Sequence, residues 1–278
     1  MKQIIFILFS LITFATSFAQ EEITVASYNL RYASKNDGEN IWENRKEMVK
    51  ALIRYHEFDI MATQELLFNQ IEDLLEMEGW SYVGVGRDDG INKGEHSAIF
   101  YNHNLFALLD SGDFWLSENP DVPNKGWDAT CCNRIVSWAK FKQVENDSIF
   151  YLFNAHFDHE GVVAREESAY LIISKINKIA GDTATILCGD FNSIPESKQI
   201  QYISTKLNDS YFISEQEPYG PVGTFNNFKI DAKFENRIDY IFLSNEFGVR
   251  KYATLTDSNY QRFPSDHIPV VIKLYFKK

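Results

Sequence analysis

The sequence predicts an α/β (α+β) domain in which packed β-sheets carry helices on their outer faces. Short apolar segments of strand length recur along the chain, whereas only about four segments show helical spacing. Aromatic residues make up 15% of the sequence, which favours large cores built on β-sheets. Because no repeat, low-complexity tract or Pro/Gly/Ser-rich linker divides the chain, we expect one domain over residues 20–278.

The first half of the chain is predicted to alternate strands and helices before it runs into consecutive strands. A strand over Ile23–Asn29 precedes a helix over Asn44–Arg54, which places Met48, Val49, Leu52 and Ile53 on one face. A short strand and a helix follow, over Asp59–Thr63 and Phe68–Met77. The next predicted strands are Tyr82–Val85, Ser97–Tyr101, Phe106–Ser111, Arg134–Phe141 and Ile149–Asn154.

The second half begins with the clearest helix of the chain, over Ala164–Ala180, where apolar residues recur at helical spacing. A buried strand over Ala184–Cys188 and a weaker helix over Glu196–Lys206 follow. The last predicted strands are Arg237–Leu243, Val249–Thr254 and Ile268–Tyr275. Two long polar loops, Arg31–Asn44 and Ser117–Asn133, each contain Trp and are interpreted as walls of a cleft.

The net charge of −12 disfavours proteins that hold long nucleic acids. An acidic surface repels phosphate backbones, so no stable nucleic-acid complex is expected. An acidic cleft that holds a metal cation is compatible with this charge, because the ion reverses the local electrostatics.

The N-terminal segment predicts export from the cytoplasm. Lys2 precedes an apolar run over Ile4–Phe14, and Ser17 and Ala19 supply the small residues that a signal peptidase reads. We expect a signal peptide over residues 1–19 and a periplasmic or extracellular protein, with an uncleaved anchor helix as the alternative. No later apolar run is long enough to span a bilayer, so no membrane span is expected in the mature chain.

The three cysteines do not predict a metal site. Cys131 and Cys132 are adjacent, and Cys188 lies in an apolar strand segment, so no CxxC spacing occurs. An odd number leaves at least one thiol unpaired. We therefore expect a buried Cys188 and a pair of cysteines in a loop.

Polar side chains with acid, base or metal-binding chemistry recur where apolar strands end. The six sites are Asn29, Glu65, His156 with Asp158, Asp190 with Asn192, Asp239 inside an apolar strand, and Asp266 with His267 just before the last strand. The presence of any one of these polar residues is explained by an ordinary turn, where polar side chains are common. Six together predict a shared functional site, since α/β folds build their sites at strand ends.

The segments that contain these residues, taken in order, resemble the endonuclease/exonuclease/phosphatase superfamily. The matching segments are Ser27–Arg31, Gln64-Glu65, Asn154–His156, Gly189–Asn192, Arg237–Tyr240 and Ser265–His267. The superfamily includes DNase I, exonuclease III, inositol polyphosphate 5-phosphatases, neutral sphingomyelinases and deadenylases. The resemblance implies a DNase I-like four-layer α/β/β/α sandwich of two mainly antiparallel sheets, with the active site at one end.

The resemblance also implies a metal site. Glu65 is the expected principal ligand of Mg²⁺, with Mn²⁺ as the alternative, and Asn29 and Asp266 assist. Carboxylate, amide oxygen and water suit a hard octahedral cation.

The implied catalytic residues are Asp190, Asn192, His156, Asp239 and His267. Asp190 would deprotonate the attacking water, Asn192 would help to hold it, and His156 would donate to a phosphate oxygen. Asp239 would orient His267, which contacts the scissile phosphate or acts as the base in a competing mechanism.

The remaining predictions concern the substrate. A small or short phosphate mono- or diester is expected, with a monomeric enzyme; a DNase I-like nuclease and a non-catalytic binding module on the same fold are the alternatives. A zinc metallohydrolase is also considered, because His156-Phe157-Asp158-His159 partly matches an HxHxDH cluster. The candidate substrate contacts are Arg31, Asp158, His159, Arg165, Trp42 and Trp127, with Arg134 and Arg237 as further cations.

Overall fold

Two six-stranded β-sheets face each other in the structure, a computed structural model that describes residues 21–277. The strands are β1 (Ile23–Asn29), β2 (Ile60–Gln64), β3 (Trp80–Val83), β4 (Ile99–Asn102), β5 (Phe106–Trp115), β6 (Ile135–Gln143), β7 (Ile149–His156), β8 (Thr185–Asp190), β9 (Asn208–Asp209), β10 (Asp239–Leu243), β11 (Phe247–Thr254) and β12 (Val270–Phe276). The helices are α1 (Trp42–Tyr55), α2 (Phe68–Leu75), α3 (Val162–Ile179), α4 (Lys198–Ser204) and α5 (Ser210–Ile213), with a 3₁₀ turn at Gly38–Asn40. The predicted signal peptide over residues 1–19 lies outside the described residues.

Each sheet is mixed, with one parallel pair of strands at its centre. The first sheet has the order β11-β12-β1-β2-β4-β3, and the second has the order β5-β6-β7-β8-β10-β9. β1 and β2 are parallel and are joined through α1, while β7 and β8 are parallel and are joined through α3. Because a parallel connection needs a crossover element, this topology places α1 and α3 on the sheet faces.

Three apolar clusters divide the molecule into four layers. The central cluster lies between the sheets and includes Val25, Phe141 and Ile272. α3 and α4 pack on the outer face of the second sheet, and α1 and α2 pack on the outer face of the first. The predicted packed-sheet class and its four-layer form are therefore confirmed. No helix within residues 21–277 is both long and apolar enough to cross a membrane.

Several predicted boundaries are corrected by pairing between strands. β5 continues to Trp115, past the predicted end at Ser111, because it pairs with β6 through a bulge between Leu108 and Asp110. Asp239 is the first residue of β10 and lies opposite Asp190 of β8, so it stands at the end of the strand and not within it. The short elements β9 and α5 were not predicted, since a two-residue strand leaves no periodic pattern.

Two buried amides connect the sheets directly beneath the strand ends. Asn154 of β7 donates to the carbonyl oxygens of Thr63 (2.7 Å) and Ala98 (2.9 Å), and it accepts a hydrogen bond from Gln64 at 2.7 Å. The motif residues Gln64 and Asn154 thus join the two sheets. This brings Glu65, the residue after Gln64, and His156, two residues after Asn154, to the same end of the molecule.

Candidate active site

The ends of the two parallel pairs meet around one cavity. Asn29 and Glu65 come from the ends of β1 and β2, while His156 and Asp190 end β7 and β8. The cavity has a volume of about 700 Å³ and is lined by Glu65, His156 and Asp190 together with Asn192, Asp266 and His267. The structure therefore brings six of the predicted polar residues to one cavity, and it places Asn29 and Asp239 in hydrogen bonds with lining residues.

Three residues next to the strand ends adopt left-handed backbone conformations. The φ angles of Arg31, Glu65 and Asn192 are 54°, 67° and 45°. Such conformations are unfavourable for residues with a Cβ and persist where the surrounding structure enforces them. Each of the three turns the chain directly after a central strand, and all three line the cavity.

Asn29 links the two carboxylates at the base of the cavity. Its amide nitrogen donates to Glu65 Oε1 at 2.9 Å and to Asp190 Oδ2 at 3.0 Å. Its amide oxygen accepts the backbone N–H of Arg31 at 2.9 Å, and this donor fixes the orientation of the amide. In this structure Asn29 orients Glu65 and Asp190, and its role as a metal ligand stays a prediction.

Asp190 is buried between two imidazole rings. Its Oδ2 atom lies 3.7 Å from His156 Nε2 and 3.8 Å from His267 Nε2, and its Oδ1 accepts the backbone N–H of Asn192 at 2.9 Å. Burial, and then repulsion from Asp239, raises the pKa of Asp190 to about 7. A carboxylate with such a pKa is suited to accept a proton near neutral pH.

Asp239 and His267 form a buried pair, with 2.9 Å between Asp239 Oδ2 and His267 Nδ1. Burial alone would lower the pKa of His267, but Asp239 and Asp190 raise it well above its ordinary value. His267 is thereby held as a cation whose Nε2 points towards Asp190. The ring is also packed edge-on against Phe225, with 5.0 Å between centroids.

His156 has the opposite charge preference from His267. Burial, followed by the positive charges of Arg134 and Arg87, lowers the pKa of His156 well below its ordinary value. The site therefore holds one neutral and one charged imidazole on either side of Asp190. A neutral ring can donate one hydrogen bond to a phosphate oxygen, whereas the charged ring also offers electrostatic attraction.

The donor set fits a hard divalent cation. Two groups of side chains have ligand atoms within 4.8 Å of one another, namely Glu65 with His156 and Asp190, and Asp190 with Asp239 and His267. Among residues 21–277, five carboxylates line the cavity, together with three guanidiniums and the charged ring of His267. Carboxylate oxygens are the preferred ligands of Mg²⁺ and Mn²⁺. The cavity thus contains a candidate divalent-metal site.

Asp266 and Arg31 lie on the Glu65 side of the cavity. Burial raises the pKa of Asp266, whose backbone carbonyl accepts from Asn226 and Asn227. Arg31 is 3.8 Å from Glu65 and 4.0 Å from Asp266, and its closest partner is Asp37 at 3.0 Å. The hydrogen bond with Asp37 raises the pKa of Arg31, so this guanidinium stays charged beside the two carboxylates.

The sequence analysis missed Glu95 and Arg87, which line the cavity beyond His156. Arg87 Nη1 donates to Glu95 Oε2 at 2.6 Å, and the same oxygen lies 3.8 Å from His156 Nδ1. Burial raises the pKa of Glu95 to about 7. Glu95 could have been recognised in the sequence because Glu95-His96 comes shortly before the strand that contains Ile99. The Asp266-His267 pair stands before β12 in the same way.

Both predicted tryptophan contacts are corrected. Trp42 is 1% exposed because it is the first residue of α1 and packs in the apolar layer, where its indole N–H donates to Asp73 at 2.7 Å. Trp127 is half-buried in the predicted loop but is not among the residues that line the cavity. Neither indole is placed to cover a ring bound there.

Of the remaining candidate substrate contacts, some line the cavity and the others lie outside its lining. His159 lines the cavity, whereas Asp158 is buried behind it and lies 3.4 Å from Arg134 Nε. Arg165 does not line the cavity and donates to the carbonyl oxygen of Asp158. Arg237 is buried and paired with Asp209 at 2.7 Å, so it is not available to a substrate.

The cysteines lie as the sequence suggested. Cys131 and Cys132 form a disulfide in the loop and line the cavity, and Cys188 is a buried free thiol within β8.

A family comparison accounts for this arrangement. The Endonuclease/Exonuclease/phosphatase family matches residues 26–267, which is most of the chain. This chain belongs to the endonuclease/exonuclease/phosphatase family. The resemblance seen in the sequence is confirmed, and the chain is a phosphoesterase of this family with a candidate metal site.

Several proteins of known structure or known sequence are similar to this chain over most of its length. An endonuclease/exonuclease/phosphatase family protein of Bacteroides thetaiotaomicron is 43% identical with a TM-score of 0.89, covering 94% of this chain and 100% of that chain. A mannosyl-6-phosphatase of Bacteroides thetaiotaomicron is 44% identical with a TM-score of 0.88, covering 91% and 100%. The exoribonuclease subunit Ccr4 of Saccharomyces cerevisiae is 22% identical over 95% of this chain, which spans 40% of that protein.

Proposed function

We propose that the protein is an exported phosphoesterase that uses Mg²⁺, with Mn²⁺ as the alternative, to hydrolyse a small phosphate ester. The observation that carries this proposal is the clustering of Glu65, His156, Asp190 and His267 around one 700 Å³ cavity. A sugar phosphate monoester is the substrate class with the best support, since a relative of 44% identity is a mannosyl-6-phosphatase.

The carboxylate of Glu65, with Asp266 nearby, would hold the cation. When bound, the cation would supply Lewis-acid stabilisation of the charge that develops on the phosphoryl oxygens. The Asn29 amide orients the carboxylates of Glu65 and Asp190, because it donates to both.

The side chains of the protein would then perform the proton transfer. Asp190 accepts the proton of the attacking water, which its raised pKa favours near neutral pH. His267, charged and oriented by Asp239, donates a hydrogen bond to a phosphoryl oxygen, and neutral His156 donates from the other side. Asn192 lies beside them, its amide nitrogen bound to the carbonyl oxygen of Phe157, so its amide oxygen is left to orient the water.

A small substrate is supported by the walls of the cavity and by charge. The described wall residues include Tyr32 and Asp37 on one loop, Cys131 and Cys132 on a second, and Phe228 on a third. A volume of about 700 Å³ is in the ordinary range for small-molecule sites. The chain carries a net charge of −12, which opposes binding of a long polyanion.

The test is a substrate panel with purified residues 20–278 and MgCl₂. Mannose 6-phosphate, glucose 6-phosphate, bis(p-nitrophenyl) phosphate, a short RNA and plasmid DNA are compared by kcat/KM. We expect the sugar monoesters to exceed both nucleic acids. Efficient cleavage of RNA or duplex DNA at physiological salt, above every small ester, would instead establish a nuclease.

Metal dependence is tested by replacing the carboxylate of Glu65. Glu65→Gln keeps the shape of the side chain and one oxygen acceptor but removes the charge that binds a cation. We expect the Mg²⁺ concentration for half-maximal activity to rise by about tenfold or more, and EDTA to abolish wild-type activity. Glu118→Gln, in an exposed loop, is the matched control. Activity that survives EDTA would refute the metal assignment.

We also propose export with cleavage after Ala19, which rests on the sequence pattern of residues 1–19. The mass of the protein recovered from the periplasm or medium should begin at Gln20. Recovery of the full-length chain in the cytoplasm alone would contradict this proposal.

A further inference from the structure

Arg87 and Arg134 stand together on the side of His156 that faces away from Asp190. His156 Nε2 is 3.7 Å from Asp190, while its Nδ1 is 3.8 Å from Glu95, which is the partner of Arg87. Both guanidiniums line the cavity. The positive charges of both also lower the pKa of His156, which is consistent with their position.

The two arginines are held in place by hydrogen bonds from the loops that surround the cavity. The carbonyl oxygen of Arg87 accepts hydrogen bonds from the Trp115 indole (2.7 Å) and the Asn133 amide (3.2 Å). Arg134 follows Asn133 directly and donates to His159 Nδ1 at 2.7 Å and to Asp158 at 3.4 Å. The exposed fractions of the Arg87 and Arg134 side chains are 11% and 5%.

The donors of this pair exceed the acceptors that surround them. Arg87 Nε is buried and has no hydrogen-bond partner among the described residues. Glu95 takes up one nitrogen of Arg87, and Asp158 lies behind Arg134 with two backbone N–H groups already bound to it. The side of the pair that faces the cavity therefore remains a donor surface.

We propose that Arg87 and Arg134 form a subsite for the terminal oxygens of a phosphate monoester and so select monoesters over diesters. This inference rests on the proposed function. A monoester carries close to two negative charges at neutral pH and has three terminal oxygens. A diester carries one charge and two terminal oxygens, and its second ester oxygen would present the guanidiniums with a weaker, uncharged acceptor.

The test compares two substrates that differ by one methyl ester, p-nitrophenyl phosphate and methyl p-nitrophenyl phosphate. The variants Arg87→Gln and Arg134→Gln are measured with MgCl₂ present, and Arg250→Gln, on the distant β11 strand, controls for net charge. We expect kcat/KM for the monoester to fall by about tenfold to a thousandfold and that for the diester by less than about threefold. Equal losses on both substrates, or no loss on either, would overturn the inference.

Two further measurements keep the test decisive. Arg87→Gln/Glu95→Gln and Arg134→Gln/Asp158→Asn remove each ion pair as a unit, so that no buried carboxylate is left unpaired if a single variant fails to fold. Orthophosphate titration by calorimetry reports the subsite without turnover, and each double variant should weaken binding by about tenfold or more. If the wild type hydrolyses no monoester, the proposed function fails. The existence of the subsite is then judged by comparing the orthophosphate affinities of the wild type and the variants. Equal affinities would refute the subsite.

Discussion

Asp190 belongs to both groups of candidate ligand atoms in the site. Two features of its surroundings disfavour the ionised form of its carboxyl group. It is 1% exposed, and Asp239 lies opposite it across the β8–β10 pair. The raised pKa follows from both. A side chain in this position lowers the stability of the metal-free protein at high pH, which is a common cost of an active site.

The sign of this effect can be tested with Asp190→Asn. The unfolded chain releases the Asp190 proton near pH 4, whereas the folded protein holds it until about pH 7. The folded state therefore binds more protons between these values, and its stability falls as pH rises through that window. Asn carries no charge, so we expect the Tm difference between variant and wild type, in EDTA, to grow by roughly 5 °C from pH 5 to pH 8.

Asp182→Asn, in an exposed turn, is the control for this experiment. A Tm difference for Asp190→Asn that stays constant with pH would show that burial does not raise the pKa of Asp190. The same variant should lose about 10²–10⁴ in kcat, because it removes the proposed proton acceptor.

At the scale of elements, the two central parallel pairs determine where the catalytic side chains stand. Gly189 of β8 lies opposite Ala155 of β7, and the next pair along is His156 and Asp190. A Cβ on Gly189 would lie 2.2 Å from the carbonyl oxygen of Ala155. The close approach of the two strands at this point requires glycine, and it sets the distance between the catalytic residues that follow.

Gly189→Ala should therefore damage both stability and activity. The inserted methyl group forces β7 and β8 apart, at a cost of about 1–3 kcal/mol in the free energy of unfolding. It also displaces Asp190 from His156, so kcat should fall by about tenfold or more. Urea denaturation and steady-state kinetics measure the two effects. Gly181→Asn, where the added side chain meets open space, is the control; equal behaviour of the two variants would contradict the close-packing argument.

At the scale of the whole molecule, the active site exists only because two sheets are held in register face to face. Glu65 belongs to the first sheet, and His156 and Asp190 belong to the second. The amides of Asn154 and Gln64 join the sheets beneath them through buried hydrogen bonds. Apolar packing between sheets is tolerant of small slips, whereas these directional contacts are not.

Asn154→Leu tests this polar connection. The substitution keeps the volume similar but leaves the carbonyl oxygens of Thr63 and Ala98 and the amide of Gln64 without this partner. We expect the free energy of unfolding to fall by about 2–4 kcal/mol and kcat to fall as well, since the two halves of the site lose register. Asn146→Ala, on an exposed loop, should change stability by less than about 0.5 kcal/mol. A stable, active Asn154→Leu protein would show that apolar packing alone aligns the sheets.

Much of the fold could be predicted because its elements are encoded by local periodicity. The helix over Ala164–Ala180 and the strand over Ile23–Asn29 were expected within two residues of their observed bounds. The polar residues of the site could be predicted because they interrupt apolar strands, where burial makes polar side chains conspicuous. Their order along the chain then identified the family.

What only the tertiary structure decided is which groups each side chain meets. Trp42 looked available in a loop but is covered by α2 through Asp73, and the Asn29 amide bridges Glu65 and Asp190. The roles of Arg87 and Glu95 became visible only when their turn was placed beside His156, which lies 61 residues after Glu95 in the chain. Periodicity specifies which face of an element is buried, but partners from distant parts of the chain are set by how the two sheets face each other.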